Sequence, residues 1–148
     1  MRIAVGSDMD MPVVRATIDE LIKRGHTTTT FGAIVTEPAP WPKVAMEAAE
    51  VVGSGACNQA VLFCWTGTGV SMAANKVKGV RAALCTDAET ARGARQWNDA
   101  NVLCMSLRLT SEAVAKEILE AWFDAEPSKD PVDAACIVFL KEADEKLR

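Results

Sequence analysis

An α/β fold, with a parallel sheet covered by helices on both faces, follows from three observations. Short runs of apolar or β-branched residues alternate with helical stretches of roughly 8–14 residues, the order that builds βαβ units. Glycine, proline and asparagine punctuate the joins. The central run, Ala60–Phe63, passes through Cys64-Trp65 and Thr66-Gly67-Thr68-Gly69 straight into a segment rich in small residues. Such a turn lets the main chain approach a ligand closely and gathers backbone N–H groups at a helix start, where an anion is held. In open parallel sheets ligands lie outside the carboxyl ends of the strands. The candidate site loops are therefore Ser7–Pro12, Glu37–Pro42, Cys64–Gly69, Thr86–Asp87 and the segment after Met105.

Taken in order, Arg2–Gly6 (RIAVG) predicts the first strand. Pro12 suits the first turn of the next helix, whose Val13, Val14, Ile18, Leu21 and Ile22 form a core face before Gly25 stops it. Thr27–Phe31 predicts strand two, and its four threonines suit a sheet edge or a partly solvated face. Three prolines in Glu37–Pro42 exclude a helix interior or central strand, so that segment is a loop and the helix begins near Lys43 and runs to Val52. After strand three and the glycine turn come a helix over Val70–Val77, strand four over Val80–Leu84 and a helix over Ala88–Gln96. Strand five spans Asn101–Met105, and a helix over Ser111–Phe123 starts with a Ser cap. Glu126–Pro131 breaks the pattern, and a final helix, residues 131–148, carries Ala135, Ile137, Val138 and Leu140 on an apolar face that needs cover from its own domain or from a second subunit.

The 148 residues suit a single domain over 1–148 with a full core, and 49% hydrophobic and 24% charged residues argue against general disorder. A net charge of −4 argues against a broad nucleic-acid or anionic-lipid surface. No apolar run reaches the roughly 20 residues that cross a bilayer, so no membrane association and a cytoplasmic location are expected. Cys57, Cys64, Cys85, Cys104 and Cys136 are odd in number and scattered, which suits buried free thiols; with one histidine and no CxxC pair, no metal site is expected.

Two residues at strand ends invite chemistry. Cys64 stands beside the glycine turn, where the bland alternative is a small buried hydrophobe. Asp8 follows the first strand, where the alternative is a helix cap. Trp65 and Trp97 read as site-lining or core residues, Trp122 as core or interface, and His26 as a solvated turn residue.

The stretches VLFCWTGTGVSMAANK (61–76) and VRAALCTDAETARGARQWNDANVL (80–103), the opening RIAVGSDMD, and the pairs Gly25-His26 and Phe31-Gly32 resemble the sugar-phosphate isomerases typified by ribose-5-phosphate isomerase B and the galactose-6-phosphate isomerase subunits. The resemblance covers about the first 120 residues. It implies a Rossmann-like three-layer αβα fold with a five-stranded, mainly parallel sheet and an extra C-terminal helix at a dimer interface. It also implies a homodimer or a dimer of dimers that isomerises aldoses and ketoses through an enediolate with no metal and no cofactor. Cys64 then falls on the base, Thr66 on an assisting threonine, and the amides of Gly67, Thr68 and Gly69 on the oxyanion site. Asp8, Ser71, Asn75, Asn98 (with Asp99) and Arg108 fall on substrate- or anion-binding positions.

The departures are specific. Met9 and Trp97 stand where the family carries histidines, Trp65 replaces a glycine, Trp41 replaces a tyrosine, and no arginine lies between Arg108 and Arg148. The histidine and arginine departures remove polar or charged groups, the tryptophans and Met9 add apolar surface, and a lost charged hydrogen bond costs about 1.5–3 kcal/mol. The expectation is an isomerase acting on an altered carbohydrate, open-chain or differently phosphorylated, with Met9, Trp41, Trp65 and Trp97 lining its pocket. The alternatives are a non-catalytic sugar- or anion-binding relative, or an ordinary ribose 5-phosphate isomerase with substitute phosphate ligands such as Lys129 or Lys141.

Overall fold

A computed structural model describes residues 1–35 and 39–148. The chain runs β1 (Arg2–Ser7), α1 (Pro12–Lys23), β2 (Thr27–Gly32), α2 (Trp41–Gly53), β3 (Gln59–Cys64), α3 (Thr68–Ala74), β4 (Ala82–Leu84), α4 (Ala88–Asn98), β5 (Val102–Ser106), α5 (Glu112–Asp124) and α6 (Pro131–Lys146). Every ladder is parallel and the strand order is β2-β1-β3-β5-β4. The connection from β1 leads to one side and those after β3 to the other, so β1 and β3 flank the switch point, with Ser7 paired to Phe63 at its mouth. That crevice is where an open parallel sheet holds ligands.

Successive strand residues face opposite layers. Ile3, Val5, Val61, Phe63, Leu103 and Met105 join α1, α4 and α5 through Val14, Ala91, Ile118 and Trp122. Ala4, Ala60, Leu62, Val102 and Cys104 face α2 and α3, whose Ala45, Ala48, Ala49, Ala73 and Ala74 let those helices sit close. Trp122, core rather than interface, is 1% exposed, and its indole N–H donates to Gln59 Oε1 at 2.8 Å. β2 is an edge strand with alternately exposed threonines, as its composition predicts.

Several boundaries differ from the sequence reading. α2 begins at Trp41 instead of Lys43, because a proline in the first turn removes only an N–H that has no intrahelical acceptor. Of the expected Glu37–Pro42 loop, Glu37 and Pro38 lie outside the described residues. α3 spans Thr68–Ala74, not Val70–Val77, because left-handed Gly67 starts it directly. β4 starts at Ala82, not Val80, because the Arg81 N–H is taken by Asn101 Oδ1 at 2.8 Å. His26 is half-buried, not solvated: its ring packs 4.7 Å from that of Phe123, and Nδ1 lies 3.2 Å from the Met1 amine.

α6 is fastened by polar contacts along its second half. Lys141 Nζ reaches Asp99 Oδ2 at 2.8 Å, Asp144 accepts the Gly79 N–H at 2.8 Å, and Lys78 pairs with Glu145 at 2.7 Å. Arg148 donates to the carbonyls of Asn75 and Lys76. Of its apolar residues Ile137 is buried, whereas Val132, Val138, Phe139 and Leu140 are exposed. Cys136 is exposed too, which corrects the expectation of a buried thiol there.

Candidate active site

The site begins with the turn that leaves β1. Ser7 is fully buried; its Oγ donates to the Met9 carbonyl at 2.6 Å and accepts the Met9 N–H at 3.3 Å. From the neighbouring strand end, Ala33 N–H donates to the Ser7 carbonyl at 2.9 Å. Gly32 makes that approach possible: its φ is +79°, and a Cβ there would stand 2.3 Å from the same carbonyl oxygen. Asp8, held between these anchors, has a buried Oδ1 with no hydrogen-bond partner among the described residues. Burial raises its carboxyl above the ordinary range, only partly offset by a bond to its own backbone. A buried polar atom without a partner calls for an explanation, and this one stands at a strand's carboxyl end, where open parallel sheets hold ligands.

On the adjacent strand end, Cys64 is 5% exposed. The chain after β5 is zipped to it: Leu107 N–H donates to the Cys64 carbonyl at 2.9 Å, Arg108 N–H to the Trp65 carbonyl at 3.0 Å, and Ser106 Oγ to the same carbonyl at 2.9 Å. Exposed Arg108 is thereby set next to Trp65. Gly67 turns the chain at φ +77°, and a Cβ there would lie 2.5 Å from a Leu84 methyl and 3.0 Å from the Met105 backbone. The Thr66 and Thr68 hydroxyls share a hydrogen bond of 2.7 Å. The leading N–H groups of α3, at Thr68 to Val70, have no acceptor inside the helix. Gly69 carries the Trp41 indole against its face, where an added Cβ would sit 2.9–3.1 Å from the ring. Trp41, Trp65 and Met9 are all partly exposed around this turn.

Other thiols close by are unsuited to proton transfer. Burial, with Asp87 nearby, pushes the Cys85 thiol up to about 12. Burial drives Cys104 well above the usual thiol range, the thiols of Cys85 and Cys64 add to this, and only a hydrogen bond with Ser71 works the other way. Ser71, half-buried in the first turn of α3, thus faces Cys104.

Three expected site residues are not gathered here. Asn75 clamps the start of β4, its Nδ2 donating to the Ala82 carbonyl and its Oδ1 accepting the Ala82 N–H, both at 2.9 Å. α4 descends from the carboxyl end of β4 to the start of β5, so Trp97 and Asn98 lie at the end of the sheet opposite Cys64 within one chain. From a single copy, Trp41, Trp65 and Met9 stand around the mouth and Trp97 does not. Trp97 is 56% exposed with its ring over Gly93, and Asn98 and Asn75 line a separate 760 Å³ cleft beneath α6. Ser7 and Gly32 are the residues the sequence reading missed. Their signals were a serine directly before the strand-end aspartate and a glycine closing the neighbouring strand.

Fold and site together define a class, the doubly wound α/β proteins with a small-molecule site at the switch point of a parallel sheet. Comparison with known proteins narrows it. The sequence model of the family described as Ribose/Galactose Isomerase matches residues 3–134. Galactose-6-phosphate isomerase subunit LacB of Clostridium acetobutylicum is 37% identical over 133 residues, covering 88% of this chain and 77% of the relative. D-erythrulose-4-phosphate isomerase of Pectobacterium atrosepticum is 38% identical over 128 residues, covering 85% and 84%. The structure of Clostridium thermocellum ribose-5-phosphate isomerase B covers all of both chains with a TM-score of 0.91 at 36% identity. The chain belongs to the ribose/galactose isomerase family and is a sugar-phosphate aldose–ketose isomerase of that type.

Proposed function

We propose that Cys64 is the base of this isomerase. As thiolate it removes the proton from the carbon beside the carbonyl, leaving an enediolate, and returns that proton to the former carbonyl carbon. The hydrogen-bonded Thr66–Thr68 hydroxyls pass the second proton between the two oxygens. The free N–H groups at Thr68 to Val70 face the charge that develops on oxygen. Asp8 holds substrate hydroxyls through its unpartnered Oδ1, and Arg108 takes the phosphate. The observation that supports this reading is the buried, unpartnered Oδ1 of Asp8, one residue past the end of the strand paired with that of Cys64.

The substrate differs from a pentose 5-phosphate. Met9, Trp41 and Trp65 surround the turn with apolar surface, and Lys141, a substitute phosphate ligand, is engaged by Asp99. The relatives named above act on sugar phosphates of different length, which fits a family whose site tolerates such change. The protein works as a homodimer. A second copy brings Trp97 and Asn98 to the Cys64 mouth, and the exposed Val132 and Phe139 of α6 give the assembly an apolar seam.

The test is a panel of sugar phosphates incubated in D₂O, with deuterium uptake at the α-carbon as readout. Uptake with at least one member is expected. Ligand-induced thermal stabilisation with no uptake by any member would mark the chain as a non-catalytic binder. Sedimentation at low concentration should give a dimer, and a monomer alone would remove the shared site.

A further inference from the structure

Resting on the isomerase reading above, we propose that the backbone N–H of Thr66 is a further donor to the oxygen that turns negative in the reaction, and that the Ser106 hydroxyl is the positioning group that aims it.

The Trp65 carbonyl breaks the alternation of its strand. Every second residue of β3 directs its backbone groups to β5: the Ala60 N–H donates to the Asn101 carbonyl at 3.1 Å, and the Cys64 carbonyl accepts the Leu107 N–H at 2.9 Å. The residues between turn theirs toward β1, on the other side of β3. Continued past Cys64, that alternation would aim the Trp65 carbonyl into the crevice between β1 and β3. An acceptor there would repel a developing oxyanion, and a donor would stabilise it.

The carbonyl is turned the other way. It accepts two hydrogen bonds from the chain after β5, the Arg108 N–H at 3.0 Å and the Ser106 hydroxyl at 2.9 Å. The Ser106 oxygen is fixed in turn, since it accepts the Leu109 N–H at 3.1 Å and the residue is only 2% exposed. With its proton given to Trp65 and a lone pair to Leu109, the hydroxyl is held in one orientation. A trans peptide is planar and sets its N–H antiparallel to its C=O. A Trp65 carbonyl held toward β5 therefore turns the Thr66 N–H toward the β1 side, into the crevice whose other wall carries the unpartnered Oδ1 of Asp8. Among the described residues that N–H has no hydrogen-bond acceptor. Ser106 thus exchanges an acceptor in the crevice for a donor, one residue along from the Trp65 that follows Cys64.

The direct test replaces Thr66 by its α-hydroxy acid, which exchanges the N–H for an ester oxygen and keeps the side chain. Parent and ester enzyme are compared in D₂O with aldose and ketose phosphates of four to six carbons, constants being taken from the one the parent labels fastest. Loss of one oxyanion donor should lower kcat by about 10²–10³-fold with KM little changed. Ser106→Ala keeps the Arg108 bond to the carbonyl, so its kcat should fall less, by about 10-fold, and Ser106→Thr, which keeps the hydroxyl, should recover most of that loss. In the ester enzyme Ser106→Ala should cost no further kcat, because the group it aims is gone. An undiminished kcat in the ester enzyme overturns the proposal and leaves Cys64 as base; so does a Ser106→Ala loss carried by KM alone, or repeated in full on top of the ester. If Ser106→Ala does not fold, the ester enzyme decides by itself. Absence of deuterium uptake by the parent with every sugar phosphate overturns the isomerase reading and the proposal with it.

Discussion

Asp8 and Asp99 are both half-buried aspartates in connections at opposite ends of the sheet, and the fold treats them in opposite ways. Asp99 adopts φ +46° and meets three cations: Arg81 at 3.2 Å, Arg95 at 3.2 Å and Lys141 at 2.8 Å. Burial works against its charge, but the Lys141 hydrogen bond and the Arg81, Lys141 and Arg95 charges outweigh it and hold the carboxyl below the usual range. Asp8 has no cation among the described residues, one buried oxygen without a partner, and a carboxyl raised by burial. One end of the sheet is finished as structure; at the other a carboxylate oxygen is buried without a partner, which the proposed substrate would supply. Stability and activity should therefore separate when the two ends are altered.

The largest effect belongs to Cys64→Ala. Removing a general base costs about 10²–10⁴-fold, so deuterium exchange into substrate should fall by that much while thermal stability changes little, since the thiol is replaced by a small apolar group. Unchanged exchange in this variant would dismiss Cys64 as the base. Next comes the matched pair. Asp8→Asn should lower kcat/KM by about 10–100-fold, the equivalent of a charged hydrogen bond of 1.5–3 kcal/mol, without lowering the melting temperature. Asp99→Asn keeps a residue that accepts positive φ but discards the charge, so stability should drop by about 1.5–3 kcal/mol, or roughly 3–10 °C. If Asp8→Asn destabilised as much as Asp99→Asn, the contrast would be lost.

The legible parts of this molecule are those where one local rule decides. β1, β3 and β5 were readable as apolar runs because they are buried on both faces, and the Thr66–Gly69 turn was readable because its glycines answer to backbone geometry. The start of α2 was misread because prolines were taken as helix exclusion, although Pro42 falls in the tolerated first turn. The grouping of Trp97 and Asn98 with Cys64 came from family resemblance, which does not say which copy provides a residue. Topology could have said so: a residue closing the helix between two parallel strands must lie at their starting edge. The duties of Asn75 and Asp99 were beyond local reading, since their partners, such as Ala82 and Lys141, are set by how α3, β4 and α6 meet.

The contact between Trp41 and Gly69 gives a smaller effect and a cleaner test of how the ligand end is built. Gly69→Ala drives a methyl into the indole, and overpacking of this kind costs about 1–3 kcal/mol when the neighbour cannot move. Trp41 is 42% exposed and can swing away, so the loss should fall at the low end, with KM rising more than stability falls. In a Trp41→Ala background the same substitution should be nearly neutral, which a double-mutant cycle would register as positive coupling. Additive losses would mean that Gly69 is required for a backbone reason alone.

The smallest effect is the pH dependence, and it sets the two aspartates against each other. Asp99 titrates below its unfolded value of about 3.9, so its stabilisation is complete above that value and fades as pH falls through the folded one. Asp8 titrates above it, so the fold prefers Asp8 protonated, and a cost arises as pH climbs through about 3.9 toward the folded value. The melting-temperature deficit of Asp99→Asn should therefore shrink as the pH is lowered from about 7 to below 3. Any gain from Asp8→Asn should also shrink over that range, from the opposite sign. Thermal scans of the two variants and the parent across this window measure both. Differences that run in the same direction would mean that Asp8 is paired in solution and that the incomplete end of the sheet is closed without a ligand.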